Sequence, residues 1–469
     1  MARNIVRHAF SNSKSGVRNF LVASSVIIFS LIVDISLSSV ADIISSDLIS
    51  IVGIIVFITI AVAYAVAQFF ILKFMKARRG ASSNRSSPYL DKINIMVTMV
   101  QYVLIGITGF IVFQIVFASS YYTIMPMMAV TISYGLGSAM MGLLSERLLS
   151  WYRARKSIVT LLYGLSAAII SVSFAVTLIY SDISLLLLPA TRDSQSEVSF
   201  GSFDPTSTLG ILVYSFSTLN VANFVLIWAG TLLLLKPYSQ RAGMIKFWTI
   251  LIIPLVANLS VFFVLSPFVL GSIGPDDPNI VYVYIFGYTL PSLAAGILFG
   301  APFWLVANGI NNQGLREYMI VAASGFVLLF VSTSGTVSHA PYPPYGLASI
   351  SIVGLSCYLI LAGLYSSAIS ISEDIKLRRL MLKAAREEKK LLDSIGSAHV
   401  EEQMRKEVEK IAKDHVNELM DKTGVNLSPT ENEVKDYLDI VMKEINKSGS
   451  DSKMQGERSA NTSKEDTVD

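Results

Sequence analysis

Asp34 is the first residue whose chemistry needs explaining, because it stands inside the apolar run Phe20–Val40. A carboxylate in hydrocarbon costs about 3 kcal/mol on insertion scales, so it faces a partner, a cavity or the membrane interface. The active reading is a proton or cation site. Its place near the far end of its run also allows a plainer one, contact with headgroups or loop water. No Lys or Arg inside an apolar run is at hand to pair with it.

Amides are the other polar groups in such runs: Gln68, Gln101, Gln114, Asn220, Asn223 and Asn258. Asn220 and Asn223, three apart, share one helix face. Side-chain amides between membrane helices ordinarily hydrogen-bond across the interface, and a polar site for a neutral solute would use the same groups. Asp34, Gln101, Gln114, Asn220, Asn223 and Asn258 therefore form the candidate intramembrane polar site.

Two further clusters have both an active and a plain reading. Met125, Met127 and Met128 bring soft thioethers that suit Cu(I), yet Met is also common packing filler. Gly135, Ser138 and Gly142, further along the same run, look like a close-packing face. Pro291, Gly296, Gly300 and Pro302 fall in a run too long for one straight helix. Broken helices build transporter sites, and kinked packing helices carry the same residues.

Other chemistry is unsupported. The single Cys357 excludes an intrachain disulfide and a cysteine-rich metal site. His8, His339, His399 and His415 are scattered, without HExxH or close pairing. There is no GxxxxGK[ST], no GxGxxG after a strand and no GxSxG. The residues around His399 do not resemble a kinase phosphoacceptor box. No catalytic residue, cofactor, metal or nucleic-acid partner is expected.

The elements that must position these residues are membrane helices. At 52% hydrophobic, 15% charged and a mean hydropathy of +0.56, the chain lies outside the soluble range, where about 25% of residues are charged. From Ser372 onward lie 18 of the 37 Lys and Arg and 22 of the 34 acids, which leaves the first 371 residues with very few charges and almost none inside their apolar runs. Lipid offers the backbone no partners, so a span needs about 20 apolar residues in helix. Ten runs qualify: Phe20–Val40, Leu48–Leu72, Asn94–Ala118, Thr123–Leu144, Ser157–Tyr180, Leu209–Leu235, Phe247–Leu270, Ile280–Ile310, Met319–Ser334 and Leu347–Ile371.

Loop charge tests that count. With the N-terminus inside, alternate loops carry Lys73 to Lys92, Arg147 to Lys156, Lys236 to Lys246, and Arg316, whereas the intervening loops hold one basic residue, Arg192, among eight acids. Basic residues are retained in the cytoplasm, so ten spans with both termini inside are expected. A basic start, an apolar stretch and Ser39-Val40-Ala41 also fit a cleaved signal peptide, and loop charge is blind to that choice.

The fold expected is all-α: a polytopic helical bundle over 1–371, an amphipathic cytoplasmic helical tail over 372–447, and a disordered end over 448–469. In the tail, stripes such as Leu377, Leu380, Met381 and Ala384, then Val434, Tyr437, Leu438, Val441 and Met442, match the helical period. Ser428-Pro429-Thr430-Glu431 has the form of a capped helix start. Such stripes bury in a three-helix bundle or in a dimeric coiled coil. The partners expected are the bilayer and, through the tail, a second copy or a cytoplasmic protein.

The junction Ile369-Ser-Ile-Ser-Glu-Asp-Ile-Lys-Leu-Arg-Arg-Leu, the later Leu391-Leu-Asp-Ser-Ile-Gly396 and the Thr423-Gly-Val425 and Tyr437-Leu segments together resemble uncharacterised multi-pass membrane proteins of ammonia-oxidising archaea. The likeness covers about the last quarter of the chain. It implies a plasma-membrane location and a tail that is a module, and it transfers no activity and no functional residue.

Two function classes fit these features. One is a non-enzymatic protein that senses or scaffolds through its tail, with the long loop Ser181–Thr208 outside. The other is a secondary transporter for a neutral or weakly charged solute, built as an inverted five-plus-five repeat.

Overall fold

A computed structural model describes residues 2–38, 47–81, 88–118, 120–154, 156–187, 208–236, 239, 243–261, 283–310, 312–334 and 343–373. The expected tail and C-terminal end lie outside these residues, as do His339, His399 and His415.

The described residues form ten α-helices and one π-helical segment, with no strand among them. In chain order the helices are α1 Ala2–Ser38, α2 Asp47–Ala81, α3 Pro88–Ala118, α4 Ile124–Ala154, α5 Ile158–Leu187, α6 Thr208–Leu235, α7 Met244–Ser260, α8 Leu290–Asn308, α9 Gln313–Ser332 and α10 Leu347–Glu373. Among the described residues, nine helices are long and apolar enough to cross a membrane. The seventh, α7, has 17 residues where the sequence leads one to expect Phe247–Leu270, and residues 262–282 are not described. The chain is a polytopic helical membrane bundle.

The long eighth run does not form one helix. A π-helical segment, Val283–Thr289, leads into α8, which has Pro291 in its first turn. Proline lacks the amide a continuing α-helix would need there. Gly296 and Gly300 have a close-packing role: a Cβ added to Gly300 would come within 2.8 Å of the Ala323 carbonyl of α9.

Burial orders the bundle. The membrane-spanning window of α10 is 100% buried and that of α9 is 72% buried, against 33% for α3 and 39% for α2. α10 is therefore the central helix, wrapped by α1, α2, α3, α4 and α9. A helix apolar all round its circumference is the kind that sits inside a bundle. Its buried serines do not break that rule, since Ser351 and Ser356 donate to the carbonyls of Leu347 and Ile352 one turn back. α9 and α10 run antiparallel at near-backbone contact, and a Cβ on Gly363 would lie 2.7 Å from the Tyr318 oxygen and the Ala322 nitrogen.

α4 runs parallel to α10. Ser133 Oγ donates to the Ile350 carbonyl at one end, and the Trp151 ring stacks on Tyr365 toward the other. α4 and α5 close as a hairpin, where the hydroxyls of Ser138 and Ser171 each donate to the other's carbonyl, at 2.9 and 2.8 Å. The Gly135, Ser138 and Gly142 face is thus a packing face, with Ser171 Oγ 3.3 Å from where a Gly142 Cβ would be.

Candidate functional site

Three helices meet around Asp34. It lies four residues from the end of α1 and is fully buried. Its Oδ1 accepts from the Gly346 amide at 2.9 Å, and its Oδ2 accepts from the Ser349 amide at 3.1 Å and the Ser349 hydroxyl at 2.9 Å. The first amides of any helix lack partners within the helix, and they carry the positive end of its dipole. Asp34 supplies to α10, from 312 residues away, the acceptor that a local Asp or Ser would normally provide.

This arrangement corrects the expectation that Asp34 reaches headgroups or loop water. Its side chain has no exposed surface, and three donors surround it, two from Ser349 of α10 and one from Gly346 just before that helix.

Tyr345, just before α10, ties in α2. Its hydroxyl donates to the Gly53 carbonyl at 2.6 Å, and its ring meets Phe57 edge-on at 5.8 Å. Burial, then the nearby Asp34 charge, pushes the Tyr345 phenol up to about 12. Gly346 has φ of +88°, a left-handed conformation that glycine adopts without Cβ strain. It turns the chain so that the first amides of α10 face Asp34. Asp34, Tyr345, Gly346 and Ser349 together form a clasp joining α1, α2 and α10.

The predicted amides do not converge on this clasp. Gln68 and Gln101 hydrogen-bond to each other, fully buried between α2 and α3. Gln114 Oε1 accepts from the Tyr122 amide at 3.3 Å and holds the α3–α4 connection. Asn223 Oδ1 accepts from Ser166 Oγ at 2.5 Å and joins α6 to α5. Asn220 and Asn258 are half-buried on α6 and α7, so only one of the two asparagines on the α6 face is fully inside. Met125 and Met127 are half-buried and Met128 is exposed at the start of α4. Among the described residues, no three His, Cys, Asp or Glu side chains come together.

A second buried carboxylate escaped the sequence reading. Glu317 of α9 is 3% exposed, pairs with Arg78 of α2 at 2.6 Å and accepts from Gln313 Nε2 at 3.2 Å. Arg78 also stacks over the Phe74 ring at 5.3 Å. The expected ninth span opened at Met319 and left Glu317 in a loop. Asn312, whose side chain accepts from the Leu315 amide, starts the helix earlier, and an Asn three residues before a Leu was the available signal.

Chemically, the clasp and the ion pair are fasteners. The clasp fixes the first turn of α10 to α1 and α2, and the Arg78–Glu317 pair fixes the end of α2 to the start of α9. The chain matches no protein-family model, no curated protein and no solved structure, so its function is argued from these contacts.

Proposed function

We propose that this chain is a non-enzymatic protein of the plasma membrane, with ten spans and both termini in the cytoplasm, that relays or scaffolds through its C-terminal helical tail. The observation that carries the reading is α10, buried along nearly all of its span, clasped at its first turn by Asp34, and continuous in sequence with the residues from 374 onward. Close-packed interiors transmit displacement rather than absorb it. A change in the loops at the clasp end would therefore move α10, and α10 would pull on the tail joined to its end.

Side-chain pairings support the tenth crossing. Tyr163 of α5 bonds Thr231 of α6 and packs on Phe303 of α8, while Phe224 of α6 packs on Phe299 of α8. Both pairs step backward together along α6 and α8, so these helices run parallel. Parallel neighbours in a membrane bundle call for one crossing between them, which supports α7 as a span. Loop charge then puts the clasp outside and the Arg78–Glu317 pair at the cytoplasmic side. The contacts of Asp34 with α10 favour retention of the first helix over its cleavage as a signal.

The reading is tested by solubilising the full-length protein from its native membranes in mild detergent and measuring assembly mass, beside a version ending at Glu373. A tail-dependent assembly, either self-association or a bound cytoplasmic protein, is expected. Equal, monomeric masses with and without the tail would remove the proposal.

A further inference from the structure

α2 and α3 are consecutive but pack together only lightly. Between them lies an open groove of about 160 Å³ lined by Ile58, Ala61, Ala65, Ile105, Gly109 and Val112, with the Tyr64 ring as one wall. Its lining is apolar almost throughout; of the two hydroxyls on the lining residues, Thr108 Oγ1 donates back to the Leu104 carbonyl at 2.9 Å and that of Tyr64 is buried. The hydrogen-bonded Gln68–Gln101 pair lies one turn beyond the groove on each helix and draws α2 and α3 together there.

Gly109 in the lining and Gly106 beside it on α3 mark this surface as different from the rest of the bundle. A Cβ on Gly300, Gly325 or Gly363 would press within 3 Å of a neighbouring helix, whereas one on Gly106 or Gly109 would meet nothing within 4 Å. A helical glycine is costly relative to alanine, and no described part of this chain fills the room these two leave.

The size of the groove selects its occupant. A helix is about 10 Å across with its side chains, too wide for a slot of this volume, while a dry apolar cavity of about 150 Å³ takes up a molecule the size of benzene. Depth agrees. Ile58 and Ala65 lie about 10 and 21 Å along the helix from the start of the α2 span at Ile51, a stretch that straddles the middle of a hydrocarbon core about 30 Å thick, where the solvent is lipid.

We infer that the α2–α3 groove is a binding site for one hydrocarbon chain of a membrane lipid, entering from the leaflet at the clasp end and ending at the Gln68–Gln101 pair. The lipid completes the packing that α2 and α3 leave open.

The test reconstitutes the full-length protein in phosphatidylcholine vesicles containing a phosphatidylcholine with a diazirine in its acyl chain, with photolysis and then peptide mapping. Labelling enriched over residues 58–65 and 105–112, relative to the exposed Ile250 and Ile253 face of α7, is expected. Gly109→Leu should fill the slot and abolish that enrichment, with Ala61→Leu as a second, independent filling variant. Labelling spread evenly over all exposed faces would overturn the site, as would enrichment unchanged in a folded filling variant. Disulfide cross-linking between two copies through Gly109→Cys would also overturn it, by naming a second copy as the occupant.

Discussion

Asp34 and Ser349 are 315 residues apart, and the carboxylate of one accepts both the amide and the hydroxyl of the other. The first apolar helix and the last are thereby joined where α10 starts, and the central helix is held in place from that joint.

Asp34→Ala leaves the buried Gly346 and Ser349 amides without an acceptor. Hydrogen bonds to a charged group contribute about 2 kcal/mol each, so a loss of that size or more is expected. Asp34→Asn keeps one oxygen acceptor and should fall between Ala and the native residue. Thermal unfolding in detergent, monitored by intrinsic fluorescence, ranks the three.

The Arg78–Glu317 pair predicts a non-additive response. Arg78→Met strands a buried carboxylate, which costs about 3 kcal/mol or more, whereas Arg78→Met with Glu317→Leu should recover most of that loss. A double-mutant cycle on denaturation midpoints measures the coupling. Additive single effects would mean that the pair contributes nothing.

Glycine substitutions should separate into two groups. Gly363→Ala puts a methyl 2.7 Å from the α9 backbone and should cost about 2 kcal/mol by overpacking. Gly106→Ala meets nothing within 4 Å and should be neutral or stabilising by up to about 1 kcal/mol. Melting temperatures of the two variants, side by side, check the contrast.

Alkaline pH should loosen the clasp. The Tyr345 phenol is raised from its ordinary value of 10.0 to about 12, so the folded state disfavours the phenolate more than the unfolded chain does. That contribution is complete below pH 10 and is lost as pH climbs toward 12. Tyr345→Phe should remove this part of the pH dependence and also lose about 1 kcal/mol with the bond to Gly53. Stability measured between pH 9 and 12 in both proteins tests the sign.

The helices were legible because lipid forces every backbone polar group into local pairing: among the described residues, nine of the ten expected runs hold a helix long and apolar enough to span, and the seventh holds the 17-residue α7. What sits beside what was less legible. The partner of Asp34 is set by tertiary packing across 312 residues, and no local spacing encodes it. Asn220 and Asn223 share a face as expected, but only the arrangement of α5 decides that Asn223 alone meets Ser166. Glu317 was missed because its burial depends on Arg78 from another helix. α5 and α10 also differ sharply, with the apolar stretch 44% buried in α5 and 100% buried in α10. Hydropathy reads both simply as apolar.

The relay through α10 is tested most directly by hydrogen–deuterium exchange on the full-length protein in lipid, native beside Asp34→Ala. The account predicts faster exchange in the first turns of α10 together with altered exchange in residues 374–447, because the chain from 374 onward is joined to the end of α10. A change confined to the residues around Gly346 and Ser349, with the tail identical in the two proteins, would contradict it.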